Sequence, residues 1–388
     1  MRIRLLHAVA LAAVAACGTA PTQKAEASST AQAESDKRPF TTTEVAKFDT
    51  PWAMAFLPGS GMAMTTNALV SEKEGKLWLL DTATGKKTPV TGVPAVKVAG
   101  QGGLGDVVVH PDFAGNQRVY LSYAEAGPGR TSGAALGYGR LVMGEGTARI
   151  EGFKVIWRQT PKVDSGGHFS HRIAFASDGT MFVSSGDRQK MQPAQDLKSD
   201  LGKIVHLTAE GQPVANGPLA SRGGRAASYY SYGHRNVLGL AFAPDGRLWD
   251  TEMGPEGGDE LNLILPGKNY GWPVASYGSH YGGGEIPDPH APKGFEEPKV
   301  WWNPSISPGG LLIYSGDLFP QWKGDALIPA LSGLAFIRVD INGDQAKKAD
   351  QWDMEMRVRG VDQGPRGEVY LIEDGDTGGR IFRLEPTR

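Results

Sequence analysis

Six stretches of this chain repeat one pattern: an alternating apolar strand, a short turn that usually carries glycine, and a second alternating strand. They are WAMAFLPGSGMAMT (52–65), LGDVVVHPDFAGNQRVYLSYA (104–124), RIAFASDGTMFVSSGD (172–187), LGLAFAPDGRLWDTE (238–252), GLLIYSGDLFPQWKGDALIPAL (310–331) and VRGVDQGPRGEVYLIED (358–374). Asp-Gly and Pro-x-Gly between such runs are hairpin turns, because glycine accepts the positive φ they need. A spacing of roughly 50 to 70 residues leaves room for about four short strands per unit, and no single unit can bury its own faces. Arranged in a ring, such units cover one another, so the expected fold is all-β, a six-bladed β-propeller. Two stacked β-sandwiches would use the same hairpins without needing this regular spacing. The 53 glycines and 26 prolines, with no long apolar run at helical period, point to few and short helices. Closure is expected by pairing 42–48 with 380–384, which would hide both edges.

The N-terminus stands apart. MRIRLLHAVALAAVAAC has a basic start at Arg2 and Arg4 and an apolar run too short to span a bilayer, which is the pattern of a secretory signal over 1–17. Its end, Val14-Ala15-Ala16-Cys17, resembles a bacterial lipobox, so Cys17 is the expected lipid anchor of a periplasmic or outer-membrane lipoprotein. An ordinary signal peptide with an incidental cysteine is the competing reading. Residues 18–40 are rich in Ala, Ser, Thr and charge and read as a flexible linker, leaving 41–388 as the catalytic domain. Cys17 is the single cysteine, so no disulfide can staple the domain. Balanced charge, 40 basic against 42 acidic residues, gives no reason to expect nucleic acid as a partner.

Fold alone decides no activity, so function rests on the loops between strands. GQGGLG places Gln101 ahead of a strand, and GGHFSH with SSGDR puts His168 and Asp187 around one hairpin. YGHRN carries Arg235 and Asn236, and RVRG carries Arg357 and Arg359, two apart and therefore on one face of a strand. TEMGPEGGDELNLILPGKNYGWP (251–273) mixes carboxylates with glycines and prolines, which suits a hard cation that wants six to eight oxygens. A solvated acidic loop is the bland alternative. His110, His206, His234, His280 and His290 show no paired metal-ligand spacing and read as structural or surface groups, with His234 placed to buttress Arg235. Trp301, Trp302 and Trp322 are either core or a ring-stacking rim for sugar.

These motifs, in this order from about residue 51 to the C-terminus, resemble the soluble pyrroloquinoline-quinone (PQQ) dependent aldose sugar dehydrogenases of the glucose/sorbosone dehydrogenase family. The resemblance implies that His168 is the general base for the anomeric hydroxyl and that Asp187 orients it. It assigns Gln101, Arg235, Asn236, Arg357 and Arg359 to the cofactor, with Arg235 also taking part in catalysis. It gives the backbone carbonyls of Gly254 and Pro255 to a calcium that touches the quinone, and Glu260 with the Tyr270 carbonyl to a second, structural Ca²⁺. The implied reaction oxidises an aldose to its lactone and passes electrons to a quinone, cytochrome or dye. The chain departs from the family at Ser170, where glycine is frequent, at the following His171, and at Met253, Glu256, Ser332 and Gly360. Two other classes remain open on the same fold: a calcium-dependent, lactonase-like hydrolase, and a non-catalytic sugar-binding propeller.

Overall fold

The computed structural model describes residues 38–59, 66–288 and 294–387; the leader with Cys17, nearly all of the linker, and His290 lie outside the described residues. Among the described residues no helix is long and apolar enough to cross a membrane. The chain is all-β, and its strands follow in order as antiparallel meanders. Strand β1 (Phe40–Lys47) precedes a first unit of β2 (Pro51–Phe56), β3 (Asn67–Glu72), β4 (Lys76–Asp81) and β5 (Lys87–Thr91). A second unit has β6 (Leu104–Val109), β7 (Arg118–Ala126), β8 (Ser132–Gly144) and β9 (Thr147–Arg158). Then come β10 (Ser170–Phe175), β11 (Met181–Ser185), β12 (Lys203–Leu207) and β13 (Tyr229–Tyr232), followed by β14 (Val237–Phe242), β15 (Leu248–Glu252), β16 (Asp259–Ile264) and β17 (Val300–Trp302). Strands β18 (Leu312–Ile313), β19 (Ala326–Pro329), β20 (Ala335–Asn342) and β21 (Gln345–Asp353) form the next sheet, and β22 (Val358–Gln363), β23 (Val369–Glu373) and β24 (Arg380–Pro386) begin the last.

Four of the sheets are separate and four-stranded, while the first two units join through a short parallel pairing of β5 with β9 into one eight-stranded sheet. Each repeated stretch of sequence supplies the first two strands of its unit, with glycines at positive φ in the turns at Gly179, Gly246 and Gly367. The first stretch is the exception. The second strand of its unit is Asn67–Glu72, just past the end of the stretch, and 60–65, which hold the GMAMT run, lie outside the described residues. Strand β1 pairs antiparallel with β24, from Phe40 opposite Pro386 to Lys47 opposite Arg380, and so covers the free edge of the last sheet.

Apolar side chains interlock between neighbouring sheets. The junction of the last two holds Phe40, Tyr314, Phe319, Trp322, Phe336 and Trp352, nearly all of them without solvent contact. The first strands of the units face inward and line a central cavity of about 340 Å³. Arg172 crosses it, donating to the Leu238 carbonyl at 2.6 Å, to Asp106 at 3.1 Å and to the Gly309 carbonyl at 2.7 Å, with its guanidinium 4.0 Å over the Trp52 ring. Four units are thereby tied at the axis.

Asp362 faces the same cavity with no salt bridge among the described residues, and burial, opposed by the charge of Arg172, pushes its carboxyl up to about 7. A carboxyl whose folded pKa is raised binds more protons in the folded state, so its contribution falls as pH rises from about 4 to about 7. Asp362→Asn should flatten that stretch of the stability profile. At pH 8 it should raise stability by roughly 1–3 kcal/mol, less than the full linkage value because the cavity opens to solvent. Thermal unfolding across pH 4–8 measures both.

Candidate active site

Strand β10 begins at a loop whose backbone is held in an unusual form. Of the eleven non-glycine residues with positive φ among the described residues, six lie in two facing segments: His168, Ser170 and His171 in one, Arg188, Gln189 and Met191 in the other. Such conformations persist only where the surroundings over-determine them. Here the fully buried Arg188 does so. Its Nε donates to the Gly167 carbonyl at 2.8 Å, its Nη1 to the Ser132 carbonyl at 2.6 Å and its Nη2 to the Ser165 carbonyl, while its guanidinium lies 3.5 Å from the Phe169 ring centre. Gly186 is obligatory in the facing segment, because a Cβ there would sit 2.1 Å from the His168 carbonyl oxygen.

Held this way, His168 meets Asp187 at 2.7 Å between Nδ1 and Oδ1. Asp187 has no solvent exposure, and its carboxylate also accepts from the Gln189 amide at 2.8 Å and the Trp272 indole at 2.8 Å. Burial alone would raise this carboxyl, yet the bonds from His168 and Trp272 outweigh it and hold the group below its ordinary value. A carboxylate can only accept, so His168 Nδ1 carries the proton and Nε2 keeps a free lone pair. Burial lowers the imidazole below its usual 6.5, with Arg235 adding to the effect and the Asp187 bond opposing it. His168 is thus a neutral base at neutral pH. Its backbone N–H donates to Gln101 Oε1 at 2.7 Å, which ties in the predicted glutamine.

Arg235 and Asn236 follow on the neighbouring unit. Glu252 accepts from the Arg235 amide at 2.7 Å and from His234 Nδ1 at 3.0 Å, so His234 does support Arg235, through a shared carboxylate. The Arg235 guanidinium lies 5.2 Å from the Trp272 ring and reaches the Tyr281 hydroxyl at 3.3 Å. Asn236 accepts from the Ser170 hydroxyl at 3.1 Å. Gln101, Asn236, Arg357 and Arg359 all line one cavity of about 350 Å³, together with Trp52, Lys73 and Asp376. Arg359 pairs with Asp374, and Arg357 stands 3.7 Å from the same carboxylate. Among the described residues the buried Nε atoms of Arg235 and Arg357 have no acceptor. Arg357 and Arg359 bring positive charge to the cavity wall, whereas His168, Asp187 and Arg235 are not among its lining residues, and Arg235 lines the smaller cleft described next.

Gly254, Pro255, Glu260 and Tyr270 line a second, ion-sized cleft of about 10 Å³, where Glu252 joins them. The turn is fixed by Asp259, which accepts from the Gly254 amide at 2.8 Å and from the Ile306 and Ser307 amides at 2.7 Å each. Behind it, Asn262 donates to Asp250, to Glu260 and, at 3.5 Å, to Glu252. Three buried carboxylates share one amide there, and burial pushes Asp250 and Glu260 well above the ordinary carboxylate range, with the charge of Glu252 adding to both. Among the described residues Asp250 Oδ2 and Asn262 Oδ1 accept no hydrogen bond. That donor set fits a hard cation. Beside it His234 converges with Asp250 and Glu252, so that their ligand atoms lie within 4.8 Å of one another.

Other expectations sort plainly. Trp302 and Trp322 are core, 4% and 1% exposed, whereas Trp301 is 41% exposed and stacks on Tyr277 at 4.7 Å. Ser332 bonds to Ser307 at 2.7 Å and does not line the large cavity. Trp52, Lys73 and Trp272 escaped the sequence reading; the one available signal was that Trp52 and Trp272 sit inside quoted motifs.

Comparisons with known proteins find relatives along most of the chain. The sequence model of the family "Glucose / Sorbosone dehydrogenase" matches residues 48–383. Aldose sugar dehydrogenase YliI of Escherichia coli (strain K12) is 38% identical over 346 residues, 88% of this chain and 91% of that protein. Among solved structures, the soluble aldose sugar dehydrogenase of Escherichia coli in its apo form superposes with a TM-score of 0.84 at 36% identity, covering 90% of this chain and all of the other. The PQQ-bound aldose sugar dehydrogenase of Streptomyces coelicolor superposes at 0.72 with 29% identity, covering 89% of this chain and 98% of the other.

Proposed function

Because this chain belongs to the glucose/sorbosone dehydrogenase family, we propose that it oxidises aldoses at the anomeric carbon to the lactone with PQQ and Ca²⁺. The observation that carries the proposal is the His168–Asp187 pair, whose chain neighbours Phe169 and Ser170 line a cavity that Gln101, Arg357 and Arg359 also line. PQQ is flat and bears three carboxylates, and Gln101, Asn236, Arg357 and Arg359 are the residues that would hold it, with Arg235 at its edge. Bound there, it supplies the two-electron oxidant that accepts hydride from the sugar. Gly254, Pro255, Glu260 and Tyr270 would hold calcium, whose chemistry is that of a Lewis acid and a structural clamp.

The chain's own residues do the remaining work. His168 Nε2 takes the proton of the anomeric hydroxyl, and Asp187 holds the ring in the basic tautomer and stabilises the imidazolium that results. The buried Arg235 guanidinium supplies fixed positive charge where negative charge develops. We read the eight-stranded sheet as two blades, giving six in all, with β1 completing the last. The leader ending at Cys17 supports an exported, lipid-anchored enzyme that passes its electrons to a quinone or cytochrome.

Dye-linked oxidation across an aldose panel, by protein loaded with PQQ and calcium, tests the reaction. Lactone hydrolysis without PQQ would instead favour the hydrolase class, and sugar binding without PQQ binding the non-catalytic one. Calcium has a separate readout. Chelation should lower stability by roughly 2–3 kcal/mol relative to protein in calcium at about a hundred times its Kd, reversibly. Glu260→Gln should remove most of that response in a thermal melt, and an unchanged wild-type midpoint on chelation would contradict the cation site.

A further inference from the structure

His171 stands next but two to the proposed base, in a left-handed backbone conformation, with a side chain 3% exposed that lines the large cavity. Its ring cannot turn. One face stacks on Trp52 at 5.2 Å and 13°, and its Cε1 edge lies so close to Gly105 that a Cβ there would be 1.8 Å away. Trp52 is itself held from its other contacts by the Arg172 guanidinium. Nδ1 is 2.8 Å from the Ser122 hydroxyl oxygen.

The direction of that bond follows from the serine. Ser122 Oγ already accepts from the Asp106 amide at 2.9 Å, and among the described residues its own proton has His171 Nδ1 as its acceptor. Nδ1 therefore accepts, and in a neutral imidazole the proton sits on Nε2. Nε2 makes no hydrogen bond within the described residues, it is not one of the fully enclosed unpaired atoms, and the residue lines the cavity. Burial also drives the ring down to about 3, with Arg172 and Arg188 adding to the effect, so the donor stays uncharged throughout the working range.

We propose that His171, locked by Ser122, Trp52 and Gly105, presents its Nε2–H as a neutral hydrogen-bond donor to an oxygen of the quinone cofactor. This rests on the functional reading above, and it adds a recognition residue of a different kind from the arginines: a directional donor without charge. It also gives a role to one position where the sequence departs from its family.

The test titrates PQQ, in calcium, into full-length wild type, His171→Phe and Ser122→Ala, and follows bound-cofactor absorbance. Phenylalanine keeps the stacking and loses the donor. Its Kd should rise roughly ten- to a hundredfold, the cost of one hydrogen bond to a charged or strongly polar acceptor. Ser122→Ala, which releases the tautomer, should weaken binding less, by several-fold. Long-range proton–nitrogen NMR of histidine-labelled wild type should show His171 protonated at Nε2, and this measurement stands even where a variant folds poorly. Wild type that binds PQQ while both variants match it within twofold, or a His171 protonated at Nδ1, would overturn the proposal and leave the functional reading intact. Wild type that fails to bind PQQ would overturn both.

Discussion

His168→Ala should lower kcat for aldose oxidation by a factor of roughly 10²–10⁴ while the protein still binds its cofactor. The separation is expected because the side chain and the backbone of this residue serve different ends. Its imidazole pairs with Asp187 and offers Nε2 as the base, whereas its amide fixes Gln101 on the cavity wall, and alanine keeps the amide. In the wild type, burial holds the imidazole below 6.5, so the rate should climb as pH rises through a value under 6.5 and level off above it. That limb should vanish in the alanine variant. Added imidazole should restore part of the rate. Loss of cofactor binding equal to the loss of rate would instead make His168 a cofactor contact.

Asp187→Asn should cost a similar factor, roughly 10²–10⁴, with little change in size or shape at the site. The carboxylate accepts from the imidazole, from the Gln189 amide and from the Trp272 indole. An amide cannot accept on both arms, so one of its N–H groups would face a donor or turn the imidazole into the wrong tautomer. The Asp187 bond is also what raises the imidazole against the effect of burial. Its removal should therefore move the acid limb to lower pH while the plateau falls. Initial rates from pH 4 to 8 separate the two effects, and a plateau within threefold of wild type would show that the pair is not the catalytic one.

How much of this was legible in the sequence depended on range. Hairpin turns are local, and Asp-Gly at 178–179 and 245–246 announced their strands without help from anything distant. Strand β3 starts at Asn67, past the end of the first repeated stretch, because the chain between β2 and β3 is longer than a tight turn. The parallel pairing of β5 with β9 had no sequence signal, since it joins the outer strands of two units across two short segments. At the site, His168, Asp187, Arg235 and Asn236 were readable from motifs, and the arginine pair from its spacing. Trp272 was not assigned a role. Its indole bond to Asp187 spans 85 residues, and only the folded chain brings it beneath Arg235. The convergence of His234, Asp250 and Glu252 was hidden for the same reason, because strand alternation puts the two carboxylates on one face while the histidine arrives from the loop between β13 and β14.

The claim at the centre is that the large cavity holds a redox quinone within reach of His168. Its most direct test is the visible absorption of purified full-length protein titrated with PQQ in calcium, recorded before and after an aldose is added. The account predicts saturable binding at one PQQ per chain, and loss of the oxidised-quinone band on sugar addition in the wild type but far more slowly in His168→Ala. A spectrum that shows no saturable binding, or a bound quinone that stays oxidised through the whole aldose panel, would contradict it.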